Sequence, residues 1–143
     1  SRLREVFERL RPRLRTFSDQ GGTELFDLPD APRPDPEVPA PVRFVAAFDN
    51  LILSHADRSR VIAAEHRKAL ASRNGMVPAT VLVDGFVCGT WKVVRERGET
   101  TLWITPFEPL PKQDREALME EGERLVSFVT DGAGDFAVRF FEP

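Results

Sequence analysis

The chain is 143 residues long, with 20 basic and 23 acidic side chains, a net charge of −3 and 41% hydrophobic residues. This is enough for one ordinary domain, or a domain with an appendage, to bury a core without staples. It excludes wholesale disorder and gives no global electrostatic drive towards nucleic acid. No apolar run approaches the roughly 18–20 residues of a spanning helix, so no membrane contact is expected. The lone cysteine, Cys88, excludes an intramolecular disulfide and a cysteine-rich zinc site. A cytoplasmic location is the expectation. The chain opens without a signal peptide or an initiator Met, consistent with a piece trimmed from a larger protein.

The charge is unevenly spread. Residues 1–15 hold six arginines against Glu5 and Glu8, whereas residues 19–37 hold six acids against Arg33. A basic first helix is thus followed by an acidic stretch. Leu3, Val6, Phe7, Leu10 and Leu14 recur at helical spacing, with Ser1 placed to cap and Pro12 to end the helix. Short extended runs at 14–17 and 23–28 flank the turn cluster 18–22. Helix, strand, turn, strand is the order that closes a winged helix, and other small α/β units share it. Residues 29–41 carry six prolines and predict a stiff connector.

Beyond it, 42–46 reads as a strand, 48–53 as a short helix or turn, and 63–72 as a weakly periodic helix closed by Asn74-Gly75. Residues 79–83 form a β-branched run ending in Asp84-Gly85, the strongest short hairpin signal, because both central residues of a type I′ turn need φ > 0. The next strand, 86–95, alternates Val87, Gly89, Trp91 and Val93 against Phe86, Cys88, Thr90, Lys92 and Val94. It turns at 96–99 into a strand over 100–107 that makes Trp103 available to Trp91. Imperfect alternation predicts two partly buried faces, as in a small barrel or a helix-covered sheet. A helix over 112–130 with Leu118, Leu125, Val126 and Val129 on one face, a loop at 131–134, and a strand with Phe136, Val138 and Phe140 inward complete the chain.

The expected class is α+β. A helix-plus-hairpin unit (1–28) and a Pro-rich connector (29–41) lead into a small antiparallel β-barrel-like domain (42–143) covered by a C-terminal helix.

The densest polar cluster is Asp49, Asn50, His55, Asp57 and Arg58. One reading makes His55 a general base oriented by Asp57 or Asp49. The other makes the carboxylates turn and helix caps, and the habits of Asp and Asn favour it. A metal is not expected there, because His-x-Asp lacks further ligands. Cys88 reads as a buried thiol, and Gly89 as a point of close approach by backbone or ring. Trp91 and Trp103 read as core rather than base-stacking residues. Arg11, Arg13 and Arg15 suit phosphate contact and equally a solvated helix face. No Gly-rich phosphate loop, nucleophile elbow or zinc spacing occurs, so no cofactor is expected.

Three stretches together carry a resemblance. Glu24 to Pro34 (ELFDLPDAPRP), Pro41 to Phe44 with Phe48 to Arg58 (FDNLILSHADR), and Val81 to Trp91 (VLVDGFVCGTW) resemble a bacterial winged-helix DNA-binding family. That family includes the DNA glycosylases acting on interstrand crosslinks and bulky alkylated purines. The resemblance implies tandem winged helices leading into a β-barrel-like unit, of which this chain looks like the last part. It implies double-stranded DNA as partner, contacted by the full-length parent, and phosphate contact by Arg11, Arg13 and Arg15. Catalysis in the glycosylase members is tied to a Gln-x-Gln motif. The only glutamines here are Gln20 and Gln113, so the resemblance implies support and duplex contact without catalysis by this piece.

Two other classes fit the residues. One is an interaction or scaffold domain without DNA contact; the other is a small ligand-binding barrel around His55, Asp57 and Asp49. Salt-sensitive DNA affinity would favour the DNA-contacting reading over both, and a deep pocket with those side chains converging would favour the ligand-binding barrel. Exposure of Leu3, Phe7 and Leu10 on the first helix would open a route to dimerisation.

Overall fold

A computed structural model describes residues 2–71, 75–96, 98–132 and 134–141. Ser1, Asn74, Arg97 and Ala133, which the sequence places in a cap and in turns, lie outside the described residues. The chain divides into two compact units, residues 1–38 and 39–143.

In the first unit, α1 (Arg2–Leu10) runs into a 3₁₀ turn at Arg11–Arg13, where Pro12 accepts the first-turn position it suits. Strands β1 (Arg15–Ser18) and β2 (Glu24–Asp27) pair antiparallel. Asp19 closes their turn: its Oδ1 accepts from the backbone N–H of Gly21 (2.9 Å) and Thr23 (2.8 Å). No residue of α1 is buried, and Leu3 is 80% exposed. Phe7 of this helix meets Phe26 of β2 edge-on at 4.8 Å. Arg33 fastens the start of the Pro-rich stretch, donating to the carbonyls of Leu28 (2.7 Å) and Ala31 (2.9 Å) and lying 5.2 Å over the Phe17 ring.

In the second unit, β3 (Arg43–Val45), β4 (Thr80–Val83), β5 (Phe86–Glu96), β6 (Glu99–Pro106) and β7 (Asp135–Phe140) form one sheet in that order. The Asp84-Gly85 turn has φ of 48° and 78°, as the hairpin chemistry requires. The helix α3 (Lys112–Val129) crosses between β6 and β7, which therefore run parallel. The expected antiparallel barrel is thus corrected to an open, mixed, five-stranded sheet. A helical crossover returns the chain to the same end of the sheet, which a tight turn cannot do. Of the two covers that imperfect alternation allows, helix and loop replace barrel closure.

Each face has its own core. Under α3 lie Val81, Leu102, Ile104, Leu118, Val126 and Val138. On the opposite face the excursion between β3 and β4, with α2 (Asn50–Leu53) and a 3₁₀ turn at Ala64–Lys68, buries Ile52 and Ile62 against Leu82 and Val87. Strand β5 faces both cores, and a bulge sets which of its residues face which side. Val81 pairs with Gly89 but Leu82 with Val87, leaving Cys88 as the extra residue. Cys88 and Trp91 consequently share the α3 side while Val87 turns the other way, which corrects the alternation expected for this strand. Trp91 pairs with Ile104 and Trp103 with Lys92, so the two tryptophans occupy opposite faces. Trp91 is a core residue: its Nε1 donates to the Val45 carbonyl at 2.9 Å, and its ring meets Phe44 edge-on at 5.7 Å. On α3 the buried line is Leu118, Gly122 and Val126, whereas Val129 and, on β7, Phe136 remain about two-fifths exposed, at 39% and 40%.

Candidate nucleic-acid interface

The three arginines singled out by the sequence sit together where α1 turns into β1, in three different states. Arg11, on the 3₁₀ turn, forms an ion pair with Glu24 of β2 and lies 5.0 Å over the Phe26 ring. Its charge is already matched inside the unit. Arg15 is exposed, with its guanidinium 5.3 Å over the Phe17 ring. Arg13 is exposed and makes no ion pair or hydrogen bond among the described residues. A cation held on a short turn without an internal partner is free to meet a phosphate.

The polar cluster of the second unit is spent on backbone. Asp49 is the N-cap of α2, its Oδ1 accepting from Leu51 N at 2.8 Å. Asn50 begins that helix. Arg58 closes it by donating to the Ile52 carbonyl at 3.1 Å. Asp57 accepts from Ser59 N at 2.9 Å, and hydrogen bonds from the Ser59 backbone and side chain, with Arg67 nearby, hold its carboxyl below the usual range. His55 is exposed and has no hydrogen bond or ion pair among the described residues. The cluster therefore shapes the excursion that covers the sheet rather than converging on a common point. Among the described residues no group of three or more His, Cys, Asp or Glu is placed to hold a metal.

Cys88 lies against the core, and burial pushes its thiol up to about 11. It is protonated at neutral pH and a poor nucleophile. Gly89 is needed for space: a Cβ there would lie 2.6 Å from the Thr105 carbonyl oxygen.

Two features escaped the sequence reading. One is Arg33, whose staple depends on where β2 ends. The other is a pair of shallow hollows beside α3 that meet at Glu123, one lined by Leu110, Arg115, Met119 and Phe140 and one by Phe128 and Phe136. The spacing of Arg115 and Met119 along one side of the helix was the only advance signal.

These features define a two-part α+β chain, a helix–hairpin unit with a basic first helix and a mixed sheet covered on both faces. Residues 1–128 match the model of the family described as DNA glycosylase AlkZ-like, and the chain belongs to that family. Among relatives, it is 30% identical over 85 residues to the interstrand DNA cross-link repair glycosylase of Streptomyces sahachiroi, covering 59% of this chain and 22% of that protein. The solved structure of the Streptomyces sahachiroi DNA glycosylase AlkZ superposes with a TM-score of 0.68 at 28% identity, over 97% of this chain and 36% of that one. The chain thus spans between about a fifth and about a third of these relatives. Among the described residues no helix is long and apolar enough to cross a membrane.

Proposed function

We propose that this chain is the C-terminal portion of an AlkZ-like DNA-repair protein, in which the turn after α1 contacts the phosphates of duplex DNA and the sheet unit serves as scaffold. The observation that carries the reading is Arg13, an exposed guanidinium without an internal partner among the described residues, two residues before the exposed Arg15 that opens β1. Membership of a glycosylase family makes DNA the polyanion to expect. The helix–strand–turn–strand order of residues 2–27 supports reading the first unit as the closing part of a winged helix. Base excision is assigned to the longer protein, since the Gln-x-Gln pattern tied to catalysis by the resemblance has no counterpart among Gln20 and Gln113.

Counterion release provides the test. Arg13→Gln and Arg15→Gln are each expected to reduce the slope of log affinity against log salt for generic duplex DNA by about 0.9. Arg11→Gln is expected to leave the slope nearly unchanged, because that side chain is occupied by Glu24. Slopes unaffected by Arg13→Gln and Arg15→Gln, or no binding at low salt, would place DNA contact elsewhere and favour a scaffold without it.

A further inference from the structure

Strand β7 ends the sheet, and among the described residues no strand pairs with its outer side. Phe141 N donates to the Ile104 carbonyl at 2.8 Å. In a parallel ladder alternate residues bond to the same neighbour. The backbone groups of Ala137 and Arg139 therefore face β6, and those of Phe136, Val138 and Phe140 face away from the sheet. Sheets usually blunt such an edge with a proline, a bulge, a very short strand or charged side chains. β7 has no proline or bulge and its register runs unbroken from Asp135 to Phe140; its two charges, Asp135 and Arg139, are of opposite sign.

We propose that two copies of this chain pair antiparallel through β7, about a two-fold axis at Ala137, so that one sheet continues into the next. The inference is independent of DNA binding. Outward-facing residues must meet outward-facing residues, and the register centred on Ala137 joins Phe136 of one copy to Val138 of the other. The same register sets Asp135 of each copy opposite Arg139 of the other.

That exchange answers a charge conflict within the single chain. Asp135 is the direct neighbour of Glu99 across β6 and β7, and like charges so placed repel. Arg139 donates to Glu99 at 3.3 Å, while the Asp135 carboxylate has no ion pair or hydrogen bond among the described residues. The second copy's Arg139 supplies the missing counter-charge, and the pairing does so twice. On the α3 side the edge is flanked by Phe136 and by Phe128, which is 81% exposed. A neighbouring copy would bring its own equivalents to cover them.

Sedimentation velocity on the 143-residue chain tests the proposal by charge exchange. The wild-type chain should show concentration-dependent dimer. Asp135→Arg alone and Arg139→Asp alone should each weaken it by about tenfold or more, since two attractive pairs become repulsive. Mixing the two single variants should restore association as a heterodimer, because each repulsive pair then becomes attractive. Circular dichroism of each variant checks that the fold is retained, and recovery on mixing cannot come from an unfolded chain. A monomer up to about 1 mM overturns the proposal. So does a dimer indifferent to both variants; if Leu3→Glu then abolishes it, the dimer runs through α1 instead.

Discussion

Gly89→Ala is expected to destabilise the sheet unit by about 3 kcal/mol, the upper part of the range for inserting a methyl into a packed interior. The added Cβ would lie 2.6 Å from the Thr105 carbonyl oxygen and 2.9 Å from Pro106 Cα. Both are backbone atoms of β6, so no rotamer change relieves the overlap, and strands β5 and β6 must separate. They are least free to do so here, because Phe107 N donates to the Cys88 carbonyl at 2.9 Å beside the bulge. Trp91 and Trp103 are the chain's only tryptophans and both lie in this unit. Their fluorescence during urea unfolding therefore reports on the sheet rather than on the helix–hairpin unit. A lowered midpoint with an unchanged slope is the expected outcome. A midpoint equal to the wild type's would show that the strands absorb the methyl and that Gly89 is not required for close approach.

Leu118→Ala carries the second large effect, about 3 kcal/mol of lost stability. Leu118 is fully buried in the cluster between α3 and the sheet, with Leu102 and Ile104 beneath it. Truncation removes its transfer free energy and leaves a void whose walls are strands fixed by hydrogen bonds, so collapse is limited. Glu116→Ala, two residues away, removes only an exposed pairing with Lys112 at 3.5 Å and should cost no more than about 0.5 kcal/mol. Equal effects in the two variants would mean that α3 is not anchored through its buried line.

What was legible in the sequence follows the range of the interaction responsible. The Asp84-Gly85 turn and the Asp49 cap depend on residues within two or three positions, and both stand where local chemistry places them. The faces of β5 were misjudged because one extra residue at Cys88 shifts the alternation, and a bulge leaves no mark on a pattern of period two beyond a glycine. The direction of β7 was hidden for a different reason. Val138 and Phe140 alternate inward identically in parallel and antiparallel strands, and only the path of α3 decides between them. The state of the three arginines needed the structure too. Glu24 on β2 claims Arg11 on the 3₁₀ turn, a partner thirteen residues away that charge counting does not select. The family resemblance read from scattered segments agrees with the match over residues 1–128.

The order of strands also sets an order of events. β4, β5 and β6 are joined by connections of two residues each, whereas β3 is separated from β4 by residues 46–79 and β7 from β6 by residues 107–134. Closing a long loop costs entropy before any contact compensates, so distant pairings tend to form after local ones. The central meander is thus the natural nucleus, with α3 and β7 docking next and β3 arriving when its excursion has settled over the second core. In stopped-flow refolding, Leu102→Ala in β6 should slow folding, while Phe44→Leu in β3 should act mainly by speeding unfolding. The reverse partition would place the nucleus at the β3 edge.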